Sequence, residues 1–176
     1  VALSDLVAPG GRARDGVIVA GRSTTPPAVV RALAQRLGWP VLADHRSGCR
    51  AGNHAVLHFD ALLRSSRFSA DALPKIVLVV GEPLASKVLG QWLASVDSHV
   101  ISIVEANRWV DPDHRTGTVV AAPGALRALL GTLDPDTAPA SSADQWLDAD
   151  LVAATAIGAT LAAAEPINEV AVAQAV

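Results

Sequence analysis

The sequence predicts a doubly wound parallel α/β sheet with helices on both faces. Short runs of β-branched and aliphatic residues alternate along the chain with stretches of helical spacing. The clearest run, Ile76-Val77-Leu78-Val79-Val80-Gly81, is apolar on both faces, as central parallel strands are. The composition supplies the core: 51% of 176 residues are hydrophobic and only 3% aromatic, so Ala, Val, Leu and Ile must fill the interior.

Each element has its own signal. Asp15-Gly16 forms a turn, and Val17-Ile18-Val19-Ala20-Gly21 reads as a buried strand bounded by glycine. Ser23-Thr24-Thr25-Pro26-Pro27 offers caps and prolines for a helix start. Val29, Val30, Leu33 and Leu37 recur at helical spacing, and Gly38 stops the helix. Pro40-Val41-Leu42-Ala43 is a second strand, followed by a polar loop from Asp44 to Asn53. His54 to Arg64 reads as a helix with Val56, Leu57, Leu62 and Leu63 inward. After the 76–81 strand, Ser86 to Ser95 is a helix whose apolar side is Val88, Leu89, Trp92 and Leu93. Val100 to Val104 and Thr116 to Ala121 are further strands, separated by a loop from Asn107 to Arg115, and Pro123 to Leu133 is a helix.

The end of the chain differs from the body. Residues 1–131 hold all 14 Lys and Arg against ten acids, whereas residues 132–176 hold seven acids and no base. Asp134 to Ser142 reads as a linker, Ala143 to Ala164 as a long Ala-rich helix, and Ile167 to Val176 as the start of another helix after Pro166. The division expected is therefore a domain over 1–133, a linker over 134–142, and over 143–176 the helical start of a following domain. The segment after Leu133 is expected to pack poorly on the body, because its natural partner domain is absent.

Several function classes are excluded. Four excess positive charges over residues 1–131 make no nucleic-acid stripe. No uninterrupted apolar run approaches the ~20 residues of a membrane span, and no secretory signal opens the chain. One Cys permits neither a disulfide framework nor a Cys-based zinc site, and fits a reducing, cytoplasmic compartment. Met is absent throughout, position 1 included, so the chain is expected to be a piece of something longer.

Candidate sites cluster after strand ends. Gly21-Arg22-Ser23 sits where a phosphate-binding turn would lie, without the Gly-x-Gly-x-x-Gly pattern. Gly81-Glu82-Pro83-Leu84-Ala85-Ser86-Lys87 lacks the Gly that a P-loop requires before its Lys, so a nucleotide triphosphate cradle is rejected. What remains is Lys87 in the first turn of a helix, after a central strand, where helix N-terminus and ammonium both attract carboxylates. The loop from Asp44 to Arg50 carries two arginines with Ser and Gly and makes an anion cradle or a solvated loop. His54 and His58, spaced i, i+4, are a metal pair or a surface pair, with no third ligand indicated. Cys49 has no catalytic partner, and His114 beside Asp111 and Asp113 reads as loop polarity. Trp39, Trp92, Trp109 and Trp146 are too scattered for a stacking platform.

Several segments together resemble one family. They are Leu37-Gly38-Trp39-Pro40-Val41-Leu42-Ala43-Asp44, Ser47-Gly48-Cys49-Arg50, His58-Phe59-Asp60-Ala61-Leu62-Leu63-Arg64, Gly81 through Leu93, and Arg108-Trp109-Val110-Asp111-Pro112. Their order and spacing over residues 16–131 resemble the menaquinone-biosynthesis synthases commonly called MenD, which use thiamine diphosphate. The resemblance implies the Rossmann-like middle domain of a three-domain subunit. The tail from Glu165 to Ala173 is similar to the start of the third domain.

It further implies a transferase that decarboxylates 2-oxoglutarate and adds the succinyl unit to isochorismate. Thiamine diphosphate and Mg²⁺ (or Mn²⁺) would serve the full-length enzyme, a homodimer or homotetramer. The family's activating Glu and its Gly-Asp-Gly metal motif belong to the first and third domains, and this chain has no Gly-Asp dipeptide. No catalytic, cofactor-binding or metal residue is therefore expected within it, and alone it should be inactive. Lys87 matches a basic position that reaches substrate carboxylates in the family, although Val88 stands where some relatives carry a second basic residue. Ser86 and Arg50 are the other substrate-binding candidates. Two alternatives stay open: the middle domain of another thiamine diphosphate 2-oxoacid enzyme, and a non-catalytic nucleotide- or effector-binding module.

Overall fold

A computed structural model describes residues 6–82, 84–104, 116–120 and 124–163. In chain order the elements are β1 (Gly16–Ala20), α1 (Pro27–Leu37), β2 (Val41–Ala43), β3 (Ala55–Val56), α2 (Phe59–Leu63), α3 (Ser66–Asp71), β4 (Ile76–Val80), α4 (Lys87–Ser95), β5 (His99–Ile103), β6 (Thr116–Val120), α5 (Ala125–Thr132) and α6 (Ser142–Ala163). The six strands form one sheet in the order β3-β2-β1-β4-β5-β6, and every pairing is parallel. The chain winds outward from β1 in one direction and from β4 in the other. The boundary between them is a topological switch point.

Alternation along the strands divides the core. Ile18, Ala20, Leu78 and Val80 face α1 and α5, together with Leu33, Leu37 and Leu126. Val17, Val19, Leu42 and Val77 face the opposite way, against Phe59, Leu63, Leu89 and Trp92. Both faces are covered, which is why these strands read as unbroken apolar runs. Gly38 caps α1 in the left-handed region (φ 69°). Behind it Trp39 is fully buried, and its indole N–H donates to the Arg14 carbonyl at 2.6 Å.

One expectation near β2 needs correction, and two elements are added. The 54–64 helix is shorter, since residues 55–56 pair with β2 and helix begins only at Phe59. The apolar spacing there serves a two-residue edge strand and then one helical turn. The second addition is α3, capped by the Ser65 hydroxyl, which accepts from Phe68 N–H.

The segment after Leu133 is also better packed than its composition implies. Thr137, Ala140, Ala143 and Trp146 are buried. Backbone bonds strap it down: Ala13 N–H to Ala138 O (2.8 Å), Ala140 N–H to Leu37 O (2.9 Å) and Ala143 N–H to Gly38 O (3.0 Å). Ser142 Oγ accepts from Gly16 N–H and donates to Asp15 Oδ1, at 3.1 and 3.2 Å. Trp146 stands edge-on to Phe68 (4.9 Å between centroids) and Trp92 (5.6 Å). Asp150 accepts from the His58 backbone N–H at 2.7 Å and meets the His58 ring at 3.2 Å. Beyond Asp150 the expectation holds: no residue from 151 to 163 is buried, and Leu151 and Val152 are 69% and 70% exposed.

With 22 residues and a mean hydropathy of 1.3 over its most apolar window, α6 is long and apolar enough to cross a membrane by length and composition. The expectation that no apolar run approaches a span meets here an Ala-rich helix whose charges, Asp144, Asp148 and Asp150, lie at one end. A single such helix is weak evidence of a span, and this one has Trp146 set in the core of the α/β body. The loop with Trp109 and His114, and the helix expected after Pro166, lie outside the described residues.

Candidate functional site

Ligands of open α/β sheets gather beyond the C-terminal ends of the strands, at the switch point. Here that crevice lies between the β1–α1 and β4–α4 turns, and backbone closes it. Glu82 N–H donates to the Arg22 carbonyl at 2.9 Å, and Gly21 N–H to Val80 O at 3.0 Å. A Cβ on Gly21 would lie 1.8 Å from Glu82 O, and one on Gly81 would lie 2.3 Å from Arg22 O. The glycines therefore serve the close approach of two turns to each other.

Above this seam runs a row of alternating charges. Arg22 pairs with Glu82 at 3.2 Å, Glu82 with Arg46 at 3.4 Å, and Arg46 with Asp44 at 3.0 Å. Two cations and two carboxylates cancel, so the Asp44–Arg50 loop offers no uncommitted arginine at 46 for an anion. The rest of the loop is self-bonded. Ser47 Oγ donates to Asp44 O (2.7 Å) and accepts from Cys49 N–H (3.0 Å). Burial pushes the Cys49 thiol up from its ordinary value, against the lowering effect of the Ser47 hydrogen bond.

Arg50 is exposed, but its guanidinium donates to the Ala43 carbonyl (3.2 Å) and the Leu57 carbonyl (3.1 Å). It clamps the end of β2 to the start of α2. Ser86 is the N-cap of α4, accepting from Leu89 N–H at 3.0 Å and donating to Asp60 Oδ1 at 2.6 Å. Its one proton is thus committed to Asp60. Lys87 is the first residue of α4 and is exposed. The structure sets Ser86 and Lys87 together at this N-terminus, with Asp60 bonded to Ser86, while the Arg50 guanidinium is bonded to Ala43 and Leu57. His54 and His58 do not share a helix face: one ring meets Trp39 O at 3.1 Å and the other meets Asp150.

Asp60 is the residue that sequence reasoning missed. Its Oδ2 takes both Nε and Nη2 of Arg64, at 3.1 and 3.0 Å. The Asp60–Arg64 pair at i, i+4 is a visible helix signal. Nothing local indicates the partner Ser86, 26 residues away.

An all-parallel sheet wound both ways from its switch point, with helices on both faces, defines a doubly wound α/β domain. A family model described as "Middle domain of thiamine pyrophosphate" matches residues 10–176, and the chain belongs to that family. It is similar to proteins named 2-succinyl-5-enolpyruvyl-6-hydroxy-3-cyclohexene-1-carboxylate synthase. The one from Aeromonas salmonicida is 38% identical over 64% of this chain and 21% of its own length. That from Salinibacter ruber is 34% identical over 76% of this chain and 24% of its own. That from a Nocardioides species is 33% identical over 84% and 26%. The chain thus spans about a quarter of the length of the curated relatives it matches.

The residues present can be tested against the family's cofactor. A diphosphate held through a divalent cation needs carboxylates and an open anion cradle. Among the described residues no group of three or more His, Cys, Asp or Glu could hold a metal. The switch-point crevice is closed by the contact of Gly21 with Glu82. The described residues do not fit thiamine pyrophosphate.

Proposed function

We propose that the chain is the central part of a synthase that releases CO₂ from 2-oxoglutarate and joins the succinyl unit to isochorismate, in menaquinone biosynthesis. The observation that carries this reading is the common name of relatives 31–38% identical to it, matched over as much as 84% of the chain. In this reading thiamine diphosphate and Mg²⁺ (or Mn²⁺) are held by the rest of a longer, cytoplasmic enzyme, a homodimer or homotetramer. No nucleic acid is a partner in this reading, and no segment of the chain spans a membrane. Residues 1–133 are the central domain and 134–142 the connection. Residues 143–176 begin the following domain, with the first turns of α6 docked back on the body.

The chain's own part is to bind and orient the acceptor. Lys87, with the N-terminus of α4 behind it, meets a carboxylate of isochorismate or of the adduct. A charge-assisted contact of this kind is worth about 10- to 150-fold in the relevant constant. Arg50 clamps the end of β2 to the chain entering α2, and Ser86 sets the helix start. The test is a rate assay on the full-length protein with both substrates, thiamine diphosphate and Mg²⁺. Consumption of isochorismate that depends on 2-oxoglutarate is expected. CO₂ release with no loss of isochorismate would place the protein among other 2-oxoacid enzymes.

A further inference from the structure

We infer that Asp60 is a positioning residue for substrate binding: its carboxylate fixes the N-cap of α4 and thereby the place from which Lys87 reaches the substrate. The inference rests on the reading of Lys87 above and deepens it. Lys87 is the first residue of α4, where backbone N–H groups have no partner within the helix. Whether the helix starts there depends on the cap.

A serine hydroxyl rotates freely, and it caps only when its lone pairs face the helix. Here the proton goes to Asp60 Oδ1 at 2.6 Å, which leaves the lone pairs toward Leu89 N–H at 3.0 Å. Asp60 is itself oriented by Arg64, which donates to Oδ2 through two N–H groups at 3.1 and 3.0 Å in an exposed pair. The Arg64 charge also offsets a carboxylate that would otherwise repel an anionic substrate beside Lys87. The chain Arg64–Asp60–Ser86 thus ties the α2 surface to the first turn of α4. No other contact between α2 and the α4 N-cap carries a charge among the described residues.

The experiment uses the full-length synthase and four variants: Lys87→Ala, Asp60→Ala, Asp60→Asn and the Asp60→Ala/Lys87→Ala double. Asp60→Ala should raise KM for isochorismate about three- to tenfold, the worth of a helix cap. It should leave kcat and KM for 2-oxoglutarate unchanged. Asp60→Asn keeps an acceptor for Ser86 and should stay near the parent. In the Lys87→Ala background the Asp60→Ala effect should vanish. Where Asp60→Ala fails to fold, Ser86→Ala serves instead, since alanine removes the capping hydroxyl and is disfavoured at N-caps. The same rise in KM is expected from it. An unchanged KM in Asp60→Ala or Ser86→Ala while Lys87→Ala raises it, or effects that add in the double variant, would overturn the inference alone. A silent Lys87→Ala would overturn the reading beneath it.

Discussion

Replacing Trp146 by alanine tests whether the start of α6 is part of the core. The indole is 4% exposed and stands edge-on to Phe68 and Trp92. Burying ~200 Å² of indole at about 25 cal/mol per Å² is worth roughly 5 kcal/mol. The helix root can settle partway into the space left, so about 3–5 kcal/mol is expected for the substitution. For a chain of this size that lowers Tm by about 10 °C. Thermal and urea denaturation of the 176-residue chain, followed by near-ultraviolet circular dichroism, would measure it. Trp146→Phe should lose much less, because an edge-on ring remains. A loss below about 1 kcal/mol in Trp146→Ala would mean that α6 is an appendage and that its packing contributes nothing to the body.

Gly21→Ala should cost about 1–3 kcal/mol or more in urea denaturation, since its Cβ would lie 1.8 Å from Glu82 O. A neutral effect would mean the two turns are not in contact. For Cys49, burial raises the thiol above its ordinary value near 9.0. The unfolded chain therefore ionises first as pH rises, and the stability held by the neutral buried thiol is complete below that pH and lost above it. The stability advantage of the parent over Cys49→Ala should shrink above about pH 9, and a constant difference would refute the burial argument. Calorimetric titration of the isolated chain with thiamine diphosphate and Mg²⁺ should show no binding at micromolar concentration. A saturable heat would overturn the assignment of the cofactor to the rest of the enzyme.

What was legible in the sequence followed local rules. Residues 17–20, 41–43, 76–80 and 100–103 are strands because short aliphatic runs, interrupted only by the buried Ser102, fit positions covered on two faces. The α1 helix ends where Gly38 permits the left-handed turn. The two-residue β3 was hidden, since Ala55-Val56 is too short for any period to register. The docking of residues 134–150 was hidden for another reason. Ala-rich composition looks featureless, and only Trp146 and Asp150 mark the side that packs, against partners 54 or more residues away. The candidate site divides in the same way. Lys87 at a helix start after a central strand was readable. The charge row Arg22–Glu82–Arg46–Asp44 was not, because it joins turns that meet only when β1 and β4 pair.

The most direct test of the central claim is the steady-state behaviour of Lys87→Ala in the full-length protein. The account predicts a KM for isochorismate raised about 10- to 150-fold, with the affinity for thiamine diphosphate unchanged. An unchanged KM, or a loss confined to cofactor binding, would contradict it.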